Sequence, residues 1–367
     1  MNKNKGFSTI LFLLSAYFMA ECNLPSPQSG EGKVTVYDML GRKVTLNDKT
    51  DKVVGVRAGA LRLLIYMDAA GMIAGIEESE LRGSRTYIQA HPELLKLPVI
   101  GPSMGGDAEL IAGIKPDVIF ITYTTRGDAD ALQRKTGIPV VALECTELGT
   151  ARDTLFASLR LIGKIIGKEK RADSLISYIE NTIADLNRRT EKIPDSLRPN
   201  VYIGGVPYSG ARNIVSTQPY YPPFMFVNAH NVAATLSRSL ISHVKGTYID
   251  PEQLLLWDPD YLFIDASGSL LVQKDLSNES PFYRNLNAIK NNRIYLLLPY
   301  NNYATNYELI IVNAWFIGKV LYPEAFADVA FEKKAQEILD IFFGANTISA
   351  ELIISPQVPG KINTMGF

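Results

Sequence analysis

The stretch that decides the fold is PEQLLLWDPDYLFID (residues 251–265), because it repeats the pattern of AELIAGIKPDVIFIT (residues 108–122). Both stretches contain a glutamate, six further residues, a Pro-Asp pair and an apolar run with Phe-Ile. Because proline disfavours further helix and Pro-Asp favours a turn, each stretch is predicted to begin with a short helix that ends there. The apolar run that follows is typical of a strand buried in a parallel sheet. The pattern predicts two similar α/β lobes, unless it is a common connection that recurs by chance.

The composition is that of a globular protein with extensive cores. Of 367 residues, 47% are hydrophobic and 20% are charged. This length suits two domains at about 150 residues each. The formal net charge of −1 leaves no basic excess, which excludes nucleic acid as an expected partner.

The N-terminus reads as a targeting segment. Residues 1–22 contain Lys3 and Lys5, an apolar core too short to span a bilayer, and then Cys22. We predict a lipoprotein signal peptide that ends at a lipidated Cys22, although Glu21 departs from the usual small residues. Ordinary secretion with a cleavage site nearby is the alternative. Residues 23–33 are rich in Pro, Ser and Gly and are predicted to form a flexible tether. Cys145 is then left without a disulfide partner and is expected to be buried and inert.

The remaining chain divides into two α/β series separated by helices. Residues 34–150 alternate short apolar strands with helices and are predicted to form the N-terminal lobe. Residues 151–198 are predicted to be connecting helices, including one long amphipathic helix at about 168–193. Residues 199–346 repeat the α/β texture as a C-terminal lobe, and 347–367 form a tail. The predicted fold class is α/β, with two lobes of mostly parallel sheet flanked by helices and a single long backbone helix between them.

With these features the sequence resembles the class III, helical-backbone periplasmic binding proteins, which serve ABC importers of ferric siderophores, haem, cobalamin and some oxyanions. The resemblance covers about residues 34–345 and rests on the two Glu-x6-Pro-Asp units, the stretch LRLIGKIIGKEKRA and the leader. It implies that Glu109 and Glu252 pair with arginines of the membrane permease, and through the permease with its ATPase. From the residues alone, both are solvated carboxylates near helix N-termini. The resemblance also implies a monomer with no cofactor, held at the membrane only by its lipid.

The ligand is expected beyond the carboxyl ends of the strands, where α/β lobes bind small molecules. The side chains that follow the predicted strands are mostly arginine, tyrosine and small polar groups. The candidates are Arg57, Tyr123, Thr124, Arg126, Tyr208, Arg212, Ser216, Tyr220, Tyr221, Tyr300, Asn302 and Tyr303. Arginines bind anionic oxygens and tyrosines offer apolar faces with a hydroxyl tip, a combination that suits a bulky anionic iron chelate. Any one of these residues could equally belong to the scaffold.

A bare metal cargo and a resident metal are not expected. The chain has three histidines, His91, His230 and His243, and none has ligand-like spacing.

The sequence leaves other functions open. GPSMG at residues 101–105 fits a Gly-x-Ser-x-Gly nucleophile elbow, with Ser103 as nucleophile and His230 or His243 as base, although Pro102 argues against it. A structural or adhesive surface lipoprotein is a further possibility. The main prediction is a non-enzymatic, lipid-anchored receptor of the cell envelope that delivers a ferric siderophore-type chelate to an ABC permease. The same receptor role for haem, a corrinoid or a molybdate-like oxyanion is the alternative.

Overall fold

The structure, a computed structural model, describes residues 32–82, 85–242, 246–277, 281–354 and 360–361. The predicted signal peptide with Cys22, nearly all of the tether, and His243 lie outside the described residues. The strands are β1 Lys33–Tyr37, β2 Lys43–Asn47, β3 Val53–Val56, β4 Ile73–Gly75, β5 Val118–Ile121, β6 Val140–Ala142, β7 Asn200–Gly204, β8 Ser216–Thr217, β9 His230–Asn231, β10 Thr247–Tyr248, β11 Tyr261–Asp265, β12 Ile294–Leu297 and β13 Gly360–Lys361. The helices are α1 Ala60–Tyr66, α2 Thr86–Ala90, α3 Ala108–Ile114, α4 Arg126–Thr136, α5 Arg152–Ile166, α6 Glu169–Thr190, α7 Pro222–Phe226, α8 Pro251–Trp257, α9 Ser269–Asp275, α10 Asn287–Lys290, α11 Tyr307–Leu321, α12 Phe331–Phe343 and α13 Ala350–Ile354.

The first lobe is built on a parallel sheet with the order β4-β3-β5-β6. Its central strands are continuous apolar runs because helices cover both faces, and every residue of β3 and β5 is buried. The hairpin β1–β2 precedes the sheet, with an antiparallel register that runs from Lys33 opposite Asn47 to Tyr37 opposite Lys43. One further parallel bridge joins Val99 to Ile76, just beyond β4.

The second lobe repeats this construction with the order β13-β12-β11-β7-β9. The strands β7, β9, β11 and β12 are parallel, and only β13 runs antiparallel, against β12. A separate two-stranded antiparallel ladder joins β8 to β10. Part of the predicted tail packs on the body of the protein, since α13 contacts α12.

The helix α6 is the predicted long connection between the lobes. It is 22 residues long, and its apolar stripe includes Ala172, Leu175 and Ile179, all nearly inaccessible to solvent. Gly167, with φ of 68°, ends α5 in the left-handed region that glycine tolerates, so that the chain turns directly into α6. Helix α6 packs against α5, α7 and α11. This arrangement confirms the predicted fold class of two α/β lobes with one long backbone helix.

The repeated sequence forms the same local structure in both lobes. Helices α3 and α8 are each seven residues long, and their fourth residues, Ile111 and Leu254, are fully buried. Each helix ends at a residue in the left-handed conformation, after which Pro-Asp leads into a central strand.

The aspartates of the two Pro-Asp pairs have equivalent contacts. The Asp117 carboxylate accepts hydrogen bonds from the backbone N–H of Asp51 (2.8 Å) and Lys52 (2.7 Å), just before β3. The Asp260 carboxylate accepts one from Asn200 (2.9 Å), where β7 begins. In both lobes the aspartate N–H also donates back to a carbonyl of that strand start, at 2.8 Å. The repeat therefore encodes, in both lobes, a hydrogen-bonded aspartate that aligns neighbouring parallel strands.

Candidate ligand-binding cleft

The main candidate site is a cavity of about 770 Å³ that residues from both lobes line. One wall follows β6 in the first lobe and the other follows the strands of the second lobe, so the cavity lies at the carboxyl ends of the parallel strands. Its lining consists of Cys145, Thr146, Glu147, Thr150, Ala151, Tyr208, Thr217, Gln218, Pro219, Tyr220, Arg238, Ile241, Ser242, Thr247, Tyr300, Asn301 and Thr305. A smaller cavity of about 440 Å³ shares Tyr208 and Asn301 with it. We refer to the two cavities together as the cleft.

Most residues of the lining carry a hydroxyl or amide group, and Arg238 supplies a positive charge. Arg238 is exposed, and its guanidinium forms no hydrogen bond or salt bridge with any described residue. Glu147 supplies a negative charge that is already satisfied, because its carboxylate accepts hydrogen bonds from the backbone N–H groups of Gly149, Thr150 and Ala151. The cleft can therefore offer one uncommitted cation and many hydrogen-bond donors to a ligand that carries anionic oxygens.

Several predicted tyrosines line the cleft. Tyr208, Tyr220 and Tyr300 contribute to the large cavity, and Tyr303 with Asn302 contributes to the small one. The Tyr300 hydroxyl donates to the Gln218 side chain at 2.6 Å, and burial raises its pKa well above the ordinary value for tyrosine. A protonated Tyr300 therefore holds Gln218 in place on the cavity wall.

Two predicted ligand contacts, Ser216 and Tyr221, line neither cavity of the cleft and have buried side chains, so their contact with a ligand stays a prediction. Ser216 is fully buried in β8 and its hydroxyl donates to the carbonyl of Val206 at 2.7 Å. Tyr221 is 1% exposed and packs against Phe224 and Tyr300, with ring centroids 4.8 and 5.6 Å away. The alternation of side chains along the segment after β7 turns these two residues towards the core.

The three predicted arginines line neither cavity of the cleft. Arg57 donates to the carbonyl of Tyr123 and lies 3.8 Å from Asp128, and Arg126 donates to the carbonyl of Leu40 at 2.7 Å. These contacts hold both arginines within the first lobe.

Arg212 donates instead to the hydroxyl of Tyr248 at 2.8 Å. It lines a separate cavity of about 650 Å³ together with Lys274 and Asp275. The hydrogen bonds of Arg57, Arg126 and Arg212 thus occupy guanidinium N–H groups that the sequence analysis had assigned to a ligand.

Tyr123 and Thr124 follow β5 but are also absent from the lining of the two cavities. The Tyr123 side chain is 54% exposed, and its backbone is left-handed, with φ of 45°. The neighbouring cleft residue Cys145 is a free, half-buried thiol rather than a fully buried one. Burial raises the pKa of Cys145 to about 12, so the thiol stays protonated at neutral pH.

Arg238 and Gln218 were not predicted as site residues. They lie between β7 and α8, in a segment whose strands β8, β9 and β10 are only two residues long. No periodicity is visible over so few residues, so the strand ends that aim these side chains could not be located. The only available signal was the high density of polar and aromatic residues in 206–221. The prediction of site residues after β7 stopped at the end of that segment and did not reach Arg238.

The two predicted docking glutamates occupy equivalent positions. Glu109 and Glu252 are each the second residue of their helices, α3 and α8, and both are exposed. Neither carboxylate has a hydrogen bond or salt bridge among the described residues. Both helices run antiparallel to the strands that follow them. Both glutamates therefore lie at the carboxyl ends of the parallel strands, where the cleft is formed.

The hydrolase alternative finds no catalytic pair in the described part of the chain. Ser103 lies in a turn of the first lobe between β4 and α3, whereas His230 is exposed in β9 of the second lobe. No hydrogen bond joins Ser103 to a histidine among the described residues.

Among the described residues, no group of three or more His, Cys, Asp or Glu side chains is arranged to hold a metal ion. Among the helices in this part of the chain, none combines the length and apolarity that crossing a membrane requires. The expectation against a bare metal cargo stays a prediction.

Two α/β lobes, one backbone helix and a polar cleft between strand ends define a two-lobed solute-binding protein. The sequence profile of the family described as periplasmic binding protein matches residues 69–300. The chain belongs to this family of substrate-binding proteins of ABC importers. Members of the family are transport components rather than enzymes.

Several relatives match most of the chain. The molybdate-binding protein MolA of Haemophilus influenzae is 24% identical over 331 residues, which is 84% of this chain and 90% of that protein. The uncharacterized ABC transporter substrate-binding lipoprotein YvrC of Bacillus subtilis is 20% identical, covering 89% of this chain and all of that protein. The petrobactin-binding protein YclQ of Bacillus subtilis is 22% identical, covering 78% and 88%.

Solved structures show the same fold. The structure of MolA with molybdate from Haemophilus influenzae has a TM-score of 0.65 at 22% identity, covering 84% of this chain and 98% of that one. The TroA-like periplasmic binding protein FepB from Veillonella parvula has a TM-score of 0.62 at 23% identity, covering 85% and 97%. At these identities the likeness establishes the two-lobed architecture and leaves the ligand to be argued from the cleft.

Proposed function

We propose that this substrate-binding protein captures an anionic iron chelate of the ferric siderophore type in the cleft and delivers it to an ABC permease. The observation that carries the proposal is the cavity of about 770 Å³, lined by tyrosines, hydroxyl groups, amides and Arg238. Pockets of roughly 300–1,000 Å³ suit ligands the size of a drug or a chelate. The relative named for petrobactin binding supports a chelate as cargo.

The uncommitted Arg238 is the proposed charge anchor. A guanidinium can donate two parallel hydrogen bonds to a carboxylate or catecholate oxygen pair, and it gains most when no protein carboxylate competes for it. Tyr208 and Tyr220 then supply apolar faces against the organic shell of the chelate.

A molybdate-like oxyanion is the second candidate. The relative named for molybdate binding favours it, as does a lining whose donors are mostly hydroxyl and amide groups. A tetrahedral oxyanion needs only a few such donors and would fill a small part of the cavity. The volume therefore favours the chelate, and haem or a corrinoid stays a more distant alternative.

Delivery is proposed to use Glu109 and Glu252 as one docking point per lobe. Both carboxylates are exposed and uncommitted among the described residues, so each is free to pair with an arginine of a permease. Such pairs determine register and partner choice more than affinity. We also propose that Cys22 carries a lipid that anchors the protein to a membrane on its periplasmic or extracellular side, with residues 23–33 as tether.

A thermal-unfolding panel tests the cargo. Protein that starts after Cys22 is unfolded with a ferric catecholate chelate, a ferric hydroxamate chelate, haem, cobalamin or molybdate present. Because cargo binds the folded state, an excess of one hundred dissociation constants stabilises it by about 2.7 kcal/mol. We expect a ferric chelate to raise the midpoint, and the same chelator without iron to raise it less. Stabilisation by molybdate alone would replace the proposal with its second candidate, and no stabilisation by any of the five would refute both.

A further inference from the structure

The loop Asn301–Thr305 belongs to the cleft and also contacts the first lobe. Asn301, Asn302 and Tyr303 line the smaller cavity, and Thr305 lines the larger one. The loop follows β12 of the second lobe and is closed by an antiparallel bridge between Asn301 and Thr305. A ligand in the cleft therefore touches a segment that is attached to both lobes.

The contacts of this loop with the first lobe are polar and well defined. The Tyr303 hydroxyl lies 3.0 Å from the Glu77 carboxylate and 2.8 Å from the Ser79 hydroxyl. The Arg85 guanidinium lies over the Tyr303 ring, 4.0 Å from its centroid. The buried Arg62 donates to the carbonyls of Asn302 (3.2 Å) and Thr305 (3.0 Å).

The backbone of the loop tip is held in a costly conformation. Tyr303 and Ala304 have φ of 49° and 66°, in the left-handed region that residues other than glycine rarely adopt. Two such residues in sequence persist only where the surrounding contacts hold them. The hydrogen bonds from Arg62 of the first lobe and the contacts of Tyr303 with the first lobe supply that restraint. Asn306 adds to it by donating to the carbonyl of Tyr300 at 2.8 Å.

Glu77 connects the loop to the segment that leads into α3. Its side chain is 1% exposed, and its carboxylate accepts hydrogen bonds from the backbone N–H of Arg57 (3.1 Å) and Gly105 (2.9 Å) as well as from Tyr303. Gly105 lies two residues before Asp107, the N-cap of the helix that carries Glu109. Burial raises the pKa of Tyr303, so its hydroxyl stays protonated and donates to the carboxylate.

We propose that Glu77 is a positioning residue which, through Tyr303, makes the orientation of α3 depend on the position of the cleft loop. Cargo that contacts Asn301 or Asn302 shifts the loop, and the hydrogen bonds of Glu77 transmit the shift to residues 101–107. The link is a property of this chain alone. The further idea, that the link reports an occupied cleft to a permease bound at Glu109, rests on the proposed function.

Hydrogen–deuterium exchange of the protein without cargo tests the link. The variant Tyr303→Phe removes the hydroxyl and leaves the ring beneath Arg85, so the fold should be retained. We expect exchange in peptides that cover residues 299–306 and 101–107 to become about tenfold faster, the effect of losing one hydrogen bond to a charged group. Glu77→Gln, which keeps the side-chain volume, should accelerate the same two segments.

The matched control is Tyr178→Phe, which removes a tyrosine–glutamate hydrogen bond of 3.1 Å to Glu337 between α6 and α12, away from the cleft lining. It should leave residues 101–107 unchanged. Acceleration confined to 299–306 in Tyr303→Phe would show that the loop does not position α3, and no acceleration in either segment would show that the link is absent. Because no cargo is added, these results are independent of the thermal-unfolding panel.

Discussion

Single charges at the cleft decide what it can bind. Arg57, Arg126 and Arg212 donate to protein oxygens, whereas Arg238 faces the cavity without a partner among the described residues. A guanidinium that is already hydrogen-bonded to a carbonyl or hydroxyl has less to gain from a ligand oxygen. These arginines differ in their local contacts. The binding affinities of variants at Arg238 and Arg212 can therefore be compared.

We expect Arg238→Gln to weaken binding of a ferric catecholate chelate by about tenfold to a hundredfold, since a hydrogen bond to a charged group contributes about 1.5–3 kcal/mol. The matched change Arg212→Gln removes the same charge outside the cleft lining and should leave affinity within about twofold, since surface changes have small effects. Titration calorimetry or quenching of intrinsic fluorescence measures both. Equal losses in the two variants would contradict the assignment of Arg238.

Asp265 predicts a pH dependence of stability. It is the fully buried last residue of β11, and burial raises the pKa of its carboxyl from 3.8 to about 7. The folded protein therefore holds this proton more tightly than the unfolded chain. Between about pH 4 and pH 7 the unfolded chain loses the proton first, so the contribution of Asp265 to stability falls as pH rises through this window, then levels off.

The variant Asp265→Asn removes this penalty and retains an oxygen that can accept from the backbone N–H of Ser267. We expect it to exceed the wild type in free energy of unfolding by up to about 4 kcal/mol at pH 8, with the difference vanishing near pH 4. Urea unfolding at several pH values measures this. A difference that stays constant with pH would show that the gain has another cause.

At the scale of secondary structure, the repeated units explain how each sheet is aligned. Helices α3 and α8 present one buried aliphatic residue each to their lobes, and the aspartate after each helix binds the start of a neighbouring strand. The glutamate is free for other roles because the packing needs only the buried side chain and the Pro-Asp turn. One motif thus serves both structure and the proposed docking.

We expect Asp117→Ala to lower the free energy of unfolding by about 1–2 kcal/mol, because two backbone N–H groups lose their acceptor. Asp117→Asn, which keeps one acceptor oxygen, should cost less than half as much. Urea unfolding of the three proteins gives the comparison. If alanine is tolerated as well as asparagine, the aspartate does not align the strands.

At the scale of the whole molecule, the important feature is the position of the two glutamates proposed for docking relative to the cleft. Both glutamates lie at the carboxyl ends of the parallel strands, as the cleft does, with one glutamate on each lobe. The helix α6 joins the lobes as a single rod of 22 residues, which favours small relative motions over wide opening. The cleft and the two glutamates proposed for docking therefore lie on one face of the protein.

The double variant Glu109→Ala with Glu252→Ala should abolish uptake of cargo in cells that contain the permease, while the dissociation constant of the isolated protein stays unchanged. The matched control is Glu332→Ala with Glu169→Ala, two exposed glutamates in the first turns of α12 and α6. Uptake assays and calorimetry on the same variants separate delivery from binding. A loss of affinity equal to the loss of uptake would remove both glutamates from the docking proposal.

The sequence alone determined the fold class, the strands of the first sheet, the strands β7, β11 and β12 of the second sheet, and the long helix. These depend on local physics, namely apolar periodicity, proline and glycine punctuation, and buried strand composition, which act over a few neighbouring residues. The Glu-x6-Pro-Asp repeat located both helices and both exposed glutamates for the same reason.

Only the tertiary structure decided which polar side chains face the cleft. Ser216 and Tyr221 turn into the core, three arginines are bound by distant carbonyl or hydroxyl groups, and Arg238 reaches the cavity from a segment with no periodic signal. The link between Glu77 and Tyr303 joins residues 226 positions apart. Such contacts depend on how the two lobes pack, and side-chain direction at a strand end is fixed by that packing rather than by neighbouring residues.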